Sequence, residues 1–308
     1  NNYRNTMQQT EKITGELFHG LWKKFTTQIF DQSLQLIFNR YKANNFDMNI
    51  IKNKKVLDAG CGSGRHAVAS AYLGAKKVIG IDISKKQITL NKKNFKSIKN
   101  IDFKHSSTDQ IKFANNYFDY VISSGVIHHT KDYEKSLDEV VRVCKKGGKI
   151  FLLIYGAGGF RWPIIKALRP MAKKIGIGEI KKSMKISGLP LNNIKHFTDD
   201  LFVPIQKITQ KKEIIKMLKE KKVKEIKFWS SQKTFDHESN FKSYLNEFYK
   251  LKKIFLNVKK DIPEKDLAIK IINIYIKKIN SILKKKISIK KKRQINIGEG
   301  NHRILITK

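Results

Sequence analysis

The strongest chemical signal in the sequence is a glycine-rich turn that follows an apolar run. Residues 56–67 read VLDAGCGSGRHA, which is typical of a buried strand that ends in a tight turn and opens a helix. Glycines permit the turn and leave room for a ligand against the backbone, while free N–H groups at a helix start favour a negative group. We therefore expect a ligand to lie against the turn formed by Gly60, Cys61, Gly62 and Gly64.

The spacing of this turn separates it from two other glycine-rich motifs. A dinucleotide fingerprint would need its third glycine at Arg65, and a P-loop would end in Gly-Lys-Ser/Thr. Neither pattern is present. In a sheet of parallel strands the ligand should bind at the carboxyl ends of the strands.

A second apolar run, VIGIDIS at residues 78–84, ends in an acid. Asp82 follows the turn at about the twenty-residue spacing from which a carboxylate takes both hydroxyls of a ribose. The alternative is that Asp82 merely caps the helix beginning near Lys85, although Ser84 suits that role better. We therefore predict that Asp82, with its neighbour Ile83, belongs to the ligand site.

A third run, FDYVISSGVIHH at residues 118–129, is followed by KGGKI at residues 146–150. With the acid-x-Gly-x-Gly-x-Gly turn, which resembles motif I, the region from about 54 to 154 resembles the class I S-adenosylmethionine-dependent methyltransferases. It is most similar to their small-molecule branch, the type of the ubiquinone and menaquinone C-methyltransferases. The resemblance implies in-line displacement of a methyl group from S-adenosylmethionine, with S-adenosylhomocysteine as product.

The resemblance also implies roles for single residues. Asp58 and the turn from Gly60 to Gly64 would hold the methionine part of the cofactor, Asp82 the ribose, and Ser123 the cleft near the sulfonium. Relatives usually carry an acid that meets the adenine, but the aligned position holds Ser107. Either Asp109 or the pair Ser107 and Thr108 takes that role.

Candidates for catalysis and acceptor binding come from the remaining motifs. A group of suitable pKa near the acceptor would assist transfer, and His128 and His129 follow the fourth strand, although each equally fits a structural role. For acceptor contacts we predict Phe18, His19, Trp22, Tyr155, Arg161 and Asp200. The first three form an aromatic lid or an ordinary core helix, Arg161 suggests an anionic acceptor, and Asp200 is a contact or a helix cap.

The elements that must position these residues follow from periodicity. Short apolar runs at 55–59, 77–81, 101–104, 118–123 and 149–154 alternate with helical patterns near 65–73, 85–98 and 133–144, the signature of βαβ units. The regular alternation then stops at 156–205. A helix at 211–220, a strand at 223–228, helical spacing over 240–285 and a final strand at 303–307 follow.

We thus predict an α/β, Rossmann-like, doubly wound and mostly parallel seven-stranded sheet. N-terminal helices would precede it, and a helical insertion would come before the last strand. The domains would be a helical lid at 1–50, a cofactor-binding core at 51–235 with a substrate-side insertion at 156–205, and a part at 236–308 with the helical segment, basic run and last strand. The 240–285 segment suits a dimer arm, a pocket wall or a membrane-surface element.

Net charge and the ratio of Lys to Arg indicate which classes of acceptor are favoured. The 308 residues carry a formal charge of +38, yet only eight of the 64 basic residues are Arg, whereas phosphate and base recognition favour Arg. We therefore rank a small-molecule acceptor first, a nucleic-acid methyltransferase second and a non-catalytic cofactor-binding module last. A homodimer is compatible with the sequence.

Two cysteines, Cys61 and Cys144, fit neither a disulfide framework nor metal-ligand spacing. We expect no metal and a reducing, cytoplasmic compartment. The longest relevant uncharged stretch, at residues 150–160, is about half as long as a membrane span, and no signal-peptide pattern opens the sequence.

Overall fold

The computed structural model describes residues 27–229 and 241–308, together with Glu16. The chain folds into two compact units. The first consists of the described residues within Asn1–Tyr155, Pro204–Phe235 and Asn301–Lys308, and the second of those within Gly156–Val203 and Asp236–Gly300.

The first unit is built on one seven-stranded sheet. Its strands are β1 (Lys55–Ala59), β2 (Lys77–Asp82), β3 (Ile101–His105), β4 (Phe118–Ser124), β5 (Cys144–Tyr155), β6 (Glu225–Phe228) and β7 (Asn301–Thr307). Their order is β3-β2-β1-β4-β5-β7-β6. The first five strands are parallel, and β7 runs antiparallel to both neighbours.

Helices of this unit cover the sheet. They are α1 (Thr27–Ala43), α2 (Arg65–Tyr72), α3 (Lys85–Asn94), α4 (Tyr133–Val143) and α8 (Lys211–Glu220), with 3₁₀ turns at Met48–Ile50 and Ile127–His129. Consecutive strand residues enter different core clusters: Leu57 packs in the one that contains Leu137, and Val56 in the one that contains Val68. Because side chains alternate along a strand, this burial on both faces explains the unbroken apolar runs.

The second unit is helical. It contains α5 (Arg161–Ile175), α6 (Ile177–Ile186), α7 (Leu191–Phe202), α9 (Phe241–Leu256), α10 (Pro263–Lys284) and α11 (Ile289–Asn296). These helices share their own buried cluster, which includes Leu168, Phe255 and Ile272. No helix among the described residues is long and apolar enough to cross a membrane.

The predicted fold class is confirmed by the strand order, and each of the seven predicted strands overlaps an observed strand. Strand β5 starts at Cys144 rather than at 149, because the chain pairs with β4 already at Phe118 before a register shift. Helix α3 ends at Asn94, four residues earlier than predicted.

The sequence pattern missed three helices in the 156–205 segment. Pro163 lies in the first turn of α5, where its missing N–H is harmless, Pro170 lies inside that helix, and Pro190 is the N-cap of α7. The basic run also forms a helix, α11, which charge density concealed.

Candidate functional site

A cleft in the first unit opens where β1, β2, β3 and β4 end. It is lined by Asp58, Gly60, Cys61, Gly62, Arg65, His66, Asp82, Ile83, Ser106, Ser107, Thr108, Ser124, Gly125, Val126, His129 and Thr130. The location is the one that parallel α/β sheets use for ligands, at the carboxyl ends of the strands.

The glycine-rich turn has the backbone conformation that its residue types predict. Gly60, Gly62 and Gly64 all have positive φ, at 83°, 48° and 80°. The N–H groups of Gly60 and Cys61 both donate to the carbonyl of Ile81 at 2.8 Å. The turn is therefore fixed to the end of β2 by backbone bonds.

The carboxylate of Asp82 joins the two strand ends. One oxygen accepts the N–H of Gly62 at 2.9 Å, and the other accepts the N–H of Ser84 at 2.9 Å. The Ser84 hydroxyl accepts the N–H of Gln87 and is the N-cap of α3. Burial raises the pKa of Asp82, and these two backbone bonds oppose that rise.

Asp58 lies deeper in the same cleft. Its carboxylate accepts the N–H of Ala67 at 3.0 Å, in the first turn of α2. Its pKa is raised to about 7, mainly by burial and also by the charge of Asp82, while the Ala67 bond and the charge of Arg65 oppose the rise. Removal from water is thus the dominant effect on this group.

Two lining residues that the sequence pattern did not indicate follow the glycine turn directly. Arg65 and His66 open α2 and face the cleft. His66 is 6% exposed, and neither of its ring nitrogens has a hydrogen-bond partner. Burial, with the charges of Arg65 and Arg40, holds the pKa of His66 well below its usual value, so the ring is neutral. The buried Ser63 hydroxyl also lacks a partner.

The segment after β3 contributes hydroxyl groups. Ser106, Ser107 and Thr108 line the cleft, whereas Asp109 does not. The N–H of Ser106 donates to the carbonyl of Asp82 at 3.1 Å, which fixes the segment to β2. Of the two alternatives for the adenine contact, the geometry brings Ser107 and Thr108 to the cleft.

Neighbouring candidate residues at and after the end of β4 differ in whether they line the cleft. Ser124 lines the cleft, but Ser123 is fully buried and its hydroxyl has no partner. His129 also lines the cleft, with Nδ1 at 2.9 Å from the carbonyl of Ile205.

His128 is fully buried and does not line the cleft. Its ring centroid lies 3.9 Å from that of Tyr155 and 4.2 Å from that of His129. Burial holds the pKa of His128 well below its usual value.

Two further predicted residues lie in the helical unit. Arg161, at the start of α5, forms an ion pair with Asp200 of α7, whose side chain is 1% exposed. Arg169 donates to the backbone carbonyl of Asp200 at 2.8 Å.

Phe18, His19 and Trp22 lie outside the described residues. Within the described ranges, no group of three or more His, Cys, Asp or Glu side chains is arranged to hold a metal ion.

Known proteins are similar to the part of the chain that contains this cleft. Residues 57–152 match a family model described as a methyltransferase domain. Demethylmenaquinone methyltransferases of Bacillus cereus (strain ATCC 10987 / NRS 248) and Bacillus anthracis (strain CDC 684 / NRRL 3495) are each 28% identical over 155 residues. The match covers 48% of this chain and spans 64% of the length of each relative.

Solved structures are similar over part of the chain. An S-adenosylmethionine dependent methyltransferase from Mesorhizobium loti is 22% identical, with a TM-score of 0.33 over 34% of this chain and 48% of the other. One from Aquifex aeolicus is 19% identical, with a TM-score of 0.33 over 43% of this chain and 74% of the other.

Replacing Gly60 by alanine should destabilise the protein. A Cβ there would lie 2.3 Å from Cγ1 of Val126, and the backbone has positive φ. Strain and overpacking together should lower the free energy of unfolding by about 2–4 kcal/mol. Gly125→Ala is the matched control, because φ is also positive there but nothing lies within 4 Å of the added Cβ. It should cost only about 1 kcal/mol. Urea unfolding measures both, and equal losses would contradict the close contact with Val126.

The stability of the ligand-free protein should depend on the charge of Asp58. Its folded-state pKa of about 7 lies above the ordinary value of 3.8, so stability is greatest in acid and is lost as pH rises through 4 to about 7. From about pH 5 to about pH 8, wild type should lose about 2–3 kcal/mol relative to Asp58→Asn.

Urea unfolding of both proteins across this range measures that difference. Asp138→Asn, which changes an exposed carboxylate on α4, is the control and should follow wild type. A constant difference between wild type and Asp58→Asn would show that Asp58 does not titrate as described.

Proposed function

We propose that this chain, whose residues 57–152 match a methyltransferase domain, is a class I, S-adenosylmethionine-dependent methyltransferase that transfers a methyl group to a small-molecule acceptor. The observation that carries the proposal is the Asp82 carboxylate held against the Gly62 N–H in an open cleft. This pairing brings a ribose-binding acid and a close-approach turn to one place.

The residues present suit the donor. Each carboxylate oxygen of Asp82 accepts one backbone N–H, which leaves acceptor capacity for the two ribose hydroxyls. Asp58 and the Gly60, Gly62 and Gly64 turn would hold the methionine part. The unpartnered His66 ring, which lines the cleft, supplies a buried polar group that a ligand can satisfy, since buried polar groups rarely stay unpaired.

The adenine would lie against the segment after β3. Ser107 and Thr108 supply hydroxyl groups there, and Ile83 and Cys61 supply apolar contact. Asp109 is the weaker candidate because it does not line the cleft.

Methyl transfer needs few catalytic groups from the protein. When bound, S-adenosylmethionine supplies a methyl group made electrophilic by its sulfonium. The chain must then align the acceptor and exclude water. His129 lines the cleft and is the better candidate for a group that holds or accepts an acceptor proton, whereas His128 is packed against Tyr155 and fits a positioning role.

Several observations support a small acceptor. The relatives with the same domain are named for methylation of demethylmenaquinone, a small molecule. Arg65 lines the cleft and its charge, with that of Arg40, reaches the neighbouring His66, and such cationic groups favour an acceptor that carries an anionic or electron-rich oxygen. Arg161, Asp200 and Tyr155 remain proposed acceptor contacts, and the N-terminal segment a proposed lid.

The assignment of Asp82 predicts a specific loss of ligand affinity. Asp82→Ala should weaken binding of S-adenosylhomocysteine at least tenfold, about 1.4 kcal/mol or more. The loss should be similar at low and high ionic strength, because hydrogen bonds rather than long-range charge carry it. Isothermal titration calorimetry measures it.

The matched control is Asp102→Ala, a partly exposed carboxylate on β3. It should bind S-adenosylhomocysteine as wild type does. Unchanged affinity in Asp82→Ala would remove the ribose assignment.

The acceptor class is tested by following labelled methyl groups. Wild type, supplied with methyl-labelled S-adenosylmethionine, should transfer label to reduced demethylmenaquinone or another small aromatic acceptor. Total RNA is the alternative acceptor that the net charge of +38 favours. Label recovered in RNA and not in the solvent-extractable fraction would replace the small-molecule assignment. A reaction without protein is the blank for both acceptors, and the Asp82→Ala protein should transfer less label than wild type.

A further inference from the structure

The last two helices have an extreme distribution of charge. Residues 263–296 contain eleven basic and two acidic residues, and both acids, Glu264 and Asp266, lie in the first turn of α10. Glu264 already pairs with Lys174 at 2.7 Å. Beyond that first turn, the sequence of α10 and α11 contains basic residues and no acidic residue.

Apolar side chains are exposed on the same helix. Leu267 and Ile274 are 49% and 51% exposed, and seven residues, about two turns, place them on one face of α10. Exposed lysines at positions 270, 277 and 278 flank them. The opposite face of α10 packs into the core of the helical unit. Its buried residues are Ala268, Ile272, Ile276 and Ile279.

We infer that this lysine-aliphatic face, defined by Leu267, Lys270, Ile274, Lys277 and Lys278, docks on the surface of a bilayer that contains anionic phospholipid. Lysine ammonium groups attract anionic headgroups, while aliphatic side chains bury themselves at the boundary with the acyl chains. Ile289, 71% exposed at the start of α11 within the basic run, extends the same composition. The inference does not depend on the acceptor or on the proposed methyl transfer.

Other occupants fit less well. Nucleic-acid surfaces favour Arg and stacking aromatics, but this segment has one Arg, Arg293, and its one aromatic residue, Tyr275, packs against Phe160. Exposed Leu and Ile side chains make no favourable contact with the phosphate groups of a nucleic acid. A second copy of the same face would bring like charges together, which opposes association.

The test is sedimentation of the full chain with vesicles. Wild type should bind vesicles containing about 30% phosphatidylglycerol in phosphatidylcholine, and binding should weaken as salt rises from about 50 to about 300 mM. Vesicles of phosphatidylcholine alone should not retain it. Failure to bind anionic vesicles at low salt overturns the inference.

Two variants separate the two parts of the face. Leu267→Gln with Ile274→Gln should lower the partition coefficient at least tenfold, since two aliphatic side chains no longer enter the bilayer. Lys270→Gln with Lys277→Gln and Lys278→Gln should lower it at least as much at low salt. The control, Ile186→Gln with Leu191→Gln, changes exposed aliphatics elsewhere in the helical unit and should stay within about twofold of wild type.

The remaining outcomes are also decisive. If the aliphatic variant binds vesicles as wild type does, attraction is charge alone and the docking face is wrong. If single-stranded RNA binds more tightly than vesicles and only the lysine variant loses it, the surface is a nucleic-acid site. Binding of S-adenosylhomocysteine, measured for every variant, reports whether the cofactor site is intact, so failure of membrane docking is distinct from failure of the proposed function.

Discussion

The hydrogen bond from the Gly62 N–H to the Asp82 carboxylate is the constraint on which the site depends. It joins the ends of β1 and β2 at 2.9 Å, and the bonds from Gly60 and Cys61 to Ile81 reinforce it. Because the same carboxylate also accepts the N–H of Ser84, one side chain fixes the glycine turn and the entry to α3. A ligand that meets Asp82 therefore meets a backbone already in position, and little ordering remains to oppose binding.

Buried charged and polar groups at the cleft lower the stability of the ligand-free protein, and the fold does not need them. Asp58 and Asp82 are drawn close at the ends of adjacent strands, and burial raises the pKa of both. His66 and Ser63 are buried without partners nearby. Such local conflict is expected where a site is built for a ligand rather than for stability. Binding of a polar, partly cationic donor would satisfy several of these groups at once.

Much of the fold followed from local pattern, and part of the site did not. Runs such as 55–59 and 211–220 were predicted at their observed limits because strand burial and helix capping are local properties. Helix α5 was missed because Pro163 and Pro170 read as breaks, and α11 because its lysines hide any apolar period. The glycine turn and Asp82 were identified from spacing, yet the contrast between His128 and His129 depends on the turn at Ile127–His129, which periodicity cannot resolve. His66 was missed for the same reason: only the first turn of α2 decides which of its residues faces the cleft.

The crystal structure of the protein with S-adenosylhomocysteine tests the central claim most directly. We expect the ribose hydroxyls on the carboxylate of Asp82, the amino-acid end beside Asp58 and the turn that ends at Gly64, and the adenine against Ser107 and Thr108. Density for the ligand elsewhere on the chain, or a ribose that does not touch Asp82, would contradict it.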